Sequence, residues 1–131
     1  MWAVDQRTGR VLAVIAVGGV LGSLGRFGLA EIGGGLAVAH VWATLAVNVI
    51  GSFAIGILAT RLPATHDAWW HRPFWITGVL GGFTTFSAFA LDAATLLDDG
   101  QTVTALAYVV GRIVAGLLAA ALGQRIAGGS A

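Results

Sequence analysis

Four apolar stretches, at about residues 11–33, 41–60, 74–96 and 102–123, occupy most of this chain, and each is about as long as a helix must be to cross a bilayer. Lipid offers the backbone no hydrogen-bond partners, so spans built this way are helices. With 57% hydrophobic and only 10% charged residues, the chain has too little polar surface for a water-soluble globule. The expectation is an all-α integral membrane protein, residues 1–131 forming a single four-span domain. The first stretch is too long for the apolar core of a signal peptide and is read as retained. The chain has no cysteine, which removes disulfides, thiolate metal sites and thiol redox chemistry from consideration. Its net charge of +1 gives no reason to expect a nucleic-acid partner.

The third stretch holds the densest polar signal, Gly81-Gly82-Phe83-Thr84-Thr85-Phe86-Ser87-Ala88-Phe89. Glycines followed by threonines form helix poorly, and a carbonyl freed in mid-membrane must find a partner other than water. The spacing predicts a helix broken near 81–86, with carbonyls available to a cation, as in discontinuous transporter helices. Phe86 and Phe89 then fall on one side of the resuming helix. They are either packing residues or rings whose positive edges meet an anion.

The glycines lie inside the spans, where small residues let helices approach closely. Gly18/Gly22, Ser52/Gly56, Gly78/Gly82 and Gly111/Ala115 all have the small-xxx-small spacing, which implies a compact bundle or oligomer. All basic residues are arginine. Arg7, Arg10, Arg61, Arg72 and Arg125 flank the spans on one side, whereas the loops at about 34–40 and 97–101 hold none and carry Asp98 and Asp99. By the positive-inside rule, both termini are expected in the cytoplasm. Trp42, Trp69, Trp70 and Trp75 sit at span boundaries as an interfacial belt.

Asn48 lies near the middle of span 2, with Thr44 one turn earlier on the same face. Its amide is either glue between helices or a neutral donor lining an ion path. Arg26 and Arg112 fall within spans, where an ionisable group is a functional candidate. Arg26 is close enough to a span end to snorkel outward. Arg112, near the centre of span 4, is expected to face a water-filled path, a carbonyl or an acid. Glu31 and Asp92, near span ends, are expected to be solvated. His40, His66 and His71 have no metal-site spacing. No phosphate loop, nucleophile–histidine pair or carboxylate pair suggests an enzyme.

Three runs carry a resemblance: Gly18-Gly19-Val20-Leu21-Gly22-Ser23-Leu24-Gly25-Arg26, then Val47-Asn48-Val49-Ile50-Gly51-Ser52-Phe53, then residues 81–89. Together they resemble the Fluc/CrcB family of fluoride channels across all four spans. The resemblance implies a dual-pore channel of two antiparallel subunits that exports fluoride passively and lowers its cytoplasmic level. It also implies a structural sodium ion held by backbone carbonyls, matching Gly81 and Thr84 here. The pore phenylalanines match Phe86 and Phe89, and the pore asparagine matches Asn48. Thr44, Thr85 and Tyr108 match the polar track, Arg26 the first motif's arginine, and Asp92 an acidic position beyond the phenylalanines. Neutral donors suit fluoride, which needs many short hydrogen bonds to leave water and would be trapped by too strong a site.

The chain departs from that pattern at Phe27 and Ala88, where tyrosine and threonine are usual, and more sharply at Arg112, where a pore serine is common. A cation there would raise anion occupancy, plug the pore, or pair with an acid. The competing readings are a non-conducting or accessory subunit of a heterodimeric channel, and a four-span exporter, which would want a central membrane carboxylate. The arginine count of five to none also bears on the partner. An antiparallel homodimer needs a chain that inserts both ways, so the expected second subunit is a related paralogue rather than an identical copy.

Overall fold

The computed structural model describes residues 5–32, 37–63, 65 and 68–128, with only the backbone of 37–40. His66 and the side chain of His40 therefore lie outside the described residues. Helix α1 spans Gln6–Ile32 and α2 spans Ala37–Arg61. A π-helical segment, Pro73–Leu80, runs into an α-helical turn, Gly81–Phe83, and the two together form α3. Helices α4, Ser87–Asp98, and α5, Thr102–Gly128, complete the chain. The described residues include four membrane-spanning lengths, with α3 and α4 sharing one of them. At 27 residues, α1 and α5 are each about 40 Å long. They outrun the apolar stretches because a helix continues into the interfacial layers, where polar side chains are at no disadvantage.

The helices pack in pairs through glycine. Where α1 crosses α3, a Cβ built on Gly18 would stand 2.6 Å from the Phe74 carbonyl oxygen, and one on Gly22 would overlap the Val79 carbonyl oxygen. Where α2 crosses α5, a Cβ on Gly56 would overlap the carbonyl of Ala120, and one on Gly123 that of Phe53. Backbone lies against backbone, as the small-xxx-small spacing requires. Gly111 is different, since nothing lies within 4 Å of its Cβ position, so the Gly111/Ala115 face is open in the single chain.

Both ends of the bundle are closed by local chemistry. Between α4 and α5, Gly100 adopts φ +72°, Gly100 N–H donates to Leu97 O at 3.0 Å, and Gln101 N–H donates to Leu96 O at 2.9 Å. This Schellman turn reverses the chain and requires a residue that tolerates positive φ. At the other end, Arg61 Nε donates to Ala127 O at 2.9 Å, and Arg72 Nη1 reaches Ala59 O and Leu62 O, each at 3.4 Å. These two arginines sit on the carbonyl ends of α5 and α2, where the helix dipole favours positive charge. Also at that end, Asp5 caps α1 by accepting the Thr8 N–H at 2.6 Å, which holds its carboxyl below the usual range. The cap therefore contributes at neutral pH and is lost as pH falls through the lowered value.

Polar side chains are buried among the core residues, and large apolar ones face outward. Thr44, Asn48 and Asp92 are buried, while Leu24, Phe27, Leu106 and Leu117 are exposed. A water-soluble protein has the opposite arrangement, and exposed apolar helix faces are satisfied by lipid or by another subunit.

Candidate functional site

The break in the third span is made by a side chain on a different helix. Thr84 N–H donates to Leu80 O at 2.9 Å, the last helical bond of α3, and Thr84 then turns to an extended ψ of 154°. The next donor, Thr85 N–H, goes to Asn48 Oδ1 at 2.8 Å. Asn48 Nδ2 donates to Thr44 O, also at 2.8 Å, so partners of opposite kind fix the amide's orientation and one amide N–H remains. Both glycines expected at the break are helical, and Gly81 has ordinary φ −64° and ψ −36°. The chain leaves the helix at Thr84–Phe86, the later half of the expected range, because Asn48 draws Thr85 away.

Every polar atom of Thr85 is used. Its carbonyl accepts Arg112 Nη2 at 2.7 Å, and its hydroxyl accepts the Ala88 N–H at 3.2 Å, capping α4, and pairs with the Ser87 hydroxyl at 3.2 Å. The break frees several carbonyls from their helical N–H groups, Gly81 O and Thr84 O among them. Gly81 O has lost Thr85 N–H to Asn48, and Thr84 O has lost Ala88 N–H to the Thr85 hydroxyl. Among the described residues neither accepts a backbone N–H. Bare carbonyls in lipid are costly unless a hydrogen-bond donor or a cation meets them. This donor set is chemically suited to a hard cation that prefers oxygen.

An open groove of about 480 Å³ runs along this region, lined by Asn48, Ser52, Thr84, Thr85, Phe86, Phe89 and Arg112 together with apolar side chains of α2 and α5. Phe86 and Phe89 have ring centroids 5.6 Å apart, but their surroundings differ. Phe86 is 77% exposed at the groove mouth, whereas Phe89 is buried between Arg112, whose Cζ lies 4.0 Å over its ring, and Tyr108, 5.6 Å away. Arg112 thus faces a carbonyl and an aromatic ring.

Two expectations are corrected. Asp92 is not solvated: it is 6% exposed, and Tyr108 Oη donates to its Oδ2 at 3.0 Å across α4 and α5. Arg26 does not snorkel: its Nε donates to Gly82 O at 3.3 Å, beside Ser23 Oγ at the same distance, tying α1 to the end of α3. Arg26, Thr44, Thr85 and Ala88 surround a separate space of about 50 Å³ behind the break. Ser23 was not singled out from the sequence, although its position three residues before Arg26 puts both on one face of α1. His71 stacks edge-on against Trp70 at 4.0 Å, and the described residues contain no cluster of three metal-ligating side chains.

Comparison with known proteins supplies the family. The family model described as "CrcB-like protein, Camphor Resistance (CrcB)" matches residues 13–124. A protein of Paracoccus denitrificans named "Fluoride-specific ion channel FluC" is 46% identical over 116 residues, covering 88% of this chain and 92% of its own length. Proteins of the same name are 44% identical in Thermus thermophilus, covering 88% and 91%, and 48% identical in Opitutus terrae, covering 84% and 86%.

Proposed function

This chain belongs to the CrcB family, and from that membership we propose that it is a fluoride-specific ion channel, exporting fluoride passively across the cell membrane. The observation that carries the reading is the chain-long identity to relatives bearing that name, with an open, largely apolar groove carrying a few polar groups at the broken span, where an ion path would lie. The groove offers small neutral contacts: the remaining Asn48 N–H, the Ser52 hydroxyl, and the exposed edge of Phe86. Such contacts replace water around a small anion without holding it too tightly. Thr44, Tyr108, Asp92 and Arg26 act behind them, positioning Asn48, Phe89 and the break.

The working unit on this reading is a dimer with an antiparallel second subunit, and a sodium ion lies between the two breaks. Gly81 O and Thr84 O would hold it with their counterparts, and its charge would compensate carbonyls that have no N–H donor. Gly81 is exposed in the single chain, open to a neighbour. Both termini lie in the cytoplasm, where the arginine-rich end belongs. The strong arginine bias favours a related, oppositely inserted paralogue as partner. One observation favours the second reading, an accessory subunit that does not itself conduct: Arg112 stands in the groove.

Purified chain in liposomes is expected to release fluoride rapidly, to exclude chloride, and to be unaffected when a protonophore collapses the proton gradient. Asp92 makes the last arm informative, because a buried carboxylate is what a proton-coupled exporter would use. Efflux that stops with the proton gradient would reject a channel. Replacing sodium by a large organic cation during purification is expected to reduce efflux and dimer content, and indifference to sodium would count against the carbonyl site. A C-terminal tag is expected to be reachable only from the cytoplasm. Tags reachable from both sides of the cell membrane would instead establish a homodimer, whatever this chain conducts alone in liposomes, where reconstitution lets identical copies meet in either orientation.

A further inference from the structure

Among the described residues, Arg112 alone lines both of the large grooves. The first groove runs from Asn48 and the break toward Ala120, the arginine-rich end of the bundle. The second, of about 530 Å³, lies beside Trp42, Thr104 and Tyr108, toward the opposite end. The two grooves open on different faces of α5, and the guanidinium stands at the edge between those faces.

The side chain is held in place without being fully satisfied. Nη2 is bound to the Thr85 carbonyl, and Cζ rests on the face of Phe89, while Nη1 is buried and has no hydrogen-bond partner. The nearby carboxylate of Asp92 already accepts the Tyr108 hydroxyl. A charged donor left buried and unpaired is unfavourable, and the natural partner for it is an anion. The cation over the Phe89 face also draws electron density from the ring, which makes its edge a better contact for negative charge.

We propose that Arg112 is a fixed-charge binding site for a small monovalent anion in the groove beside the broken span, where it sets how tightly fluoride is held and how fast it passes. The proposal rests on the fluoride-channel reading. It predicts efflux that saturates at low fluoride, with a maximal rate set by release from this site, since a site that binds strongly also delays release.

The test compares wild type, Arg112→Gln, Arg112→Ser and Arg112→Lys as full chains in liposomes, measuring efflux over a range of fluoride concentrations, with chloride as a second anion. Arg112→Gln keeps a donor for the Thr85 carbonyl and removes only the charge. Half-saturating fluoride is expected to rise about tenfold in the Gln variant, as when a charged donor gives way to a neutral one, and maximal flux is expected to rise with it. The Ser variant is expected to follow the Gln variant, and the Lys variant to stay near wild type in half-saturation. Unchanged half-saturation and flux in a folded Gln variant would overturn the Arg112 site and leave the channel reading standing. Absence of fluoride efflux from every protein would overturn both. Chloride slowing fluoride efflux through wild type but not through Arg112→Gln would support an anion site of low selectivity at Arg112.

Discussion

Asn48→Leu is expected to abolish fluoride efflux while leaving all four spans inserted. Asn48 does two things at once: its Oδ1 takes the Thr85 N–H, and it puts a polar amide along the groove. Leucine supplies neither. It leaves the Thr85 N–H without its acceptor, at a cost of about 1–3 kcal/mol unless the chain rearranges. The nearest rearrangement is for Thr85 N–H to return to Gly81 O, which would mend the helix and remove one of the bare carbonyls. Asn48→Asp separates the roles, because an aspartate keeps the acceptor for Thr85 but loses the donor and adds a negative charge. The Leu variant is therefore expected to lose efflux together with any sodium dependence, and the Asp variant to lose efflux alone. Amide exchange at Thr85 reports the backbone change directly. Wild-type efflux from Asn48→Leu would show that the ion path lies elsewhere.

The second large effect is expected at the helix crossings. Gly22→Val places a branched Cβ on the Val79 carbonyl, and Gly82→Val does the same to Gly19; backbone atoms cannot step aside as a side-chain tip can. The helices must separate, at a cost at or above about 3 kcal/mol, the upper end of ordinary overpacking. Gly111→Val is the matched control, with nothing within 4 Å of the new Cβ. In detergent, Gly22→Val is expected to give little monodisperse protein and Gly111→Val a wild-type yield of folded subunit. Equal thermal stability of the two variants would refute the close α1–α3 contact.

The sequence by itself determined the features that depend on local composition. Apolar length defined the four spans, because the bilayer's thickness demands it whatever the neighbours are. The placement of Arg7, Arg10, Arg61, Arg72 and Arg125 marked one end of the bundle, and Gly18, Gly22, Gly78 and Gly82 marked where helices can touch. The glycine- and threonine-rich run located the break to within a few residues, and Asn48 and Arg112 stood out as polar groups that lipid would not tolerate without a partner.

Only the tertiary structure decided what those partners were. The break begins at Thr84 rather than at the glycines because the competing acceptor comes from α2, 37 residues away in sequence. The π-helical register of 73–80, with Gly81 N–H reaching Ile76 O, had no sequence signal, since it is a matter of backbone hydrogen bonding in a segment pressed against α1. Asp92 looked like a solvated residue near a span end and is buried, because Tyr108 on α5 offers its hydroxyl there. Arg26 turns inward for the same kind of reason, finding Gly82 O closer than water. Phe86 and Phe89, alike in sequence, part company because the Arg112 guanidinium covers only Phe89. In each case a polar or aromatic group in a medium without water takes the nearest complementary group, and which group is nearest is settled by the crossing of helices rather than by the order of residues along them.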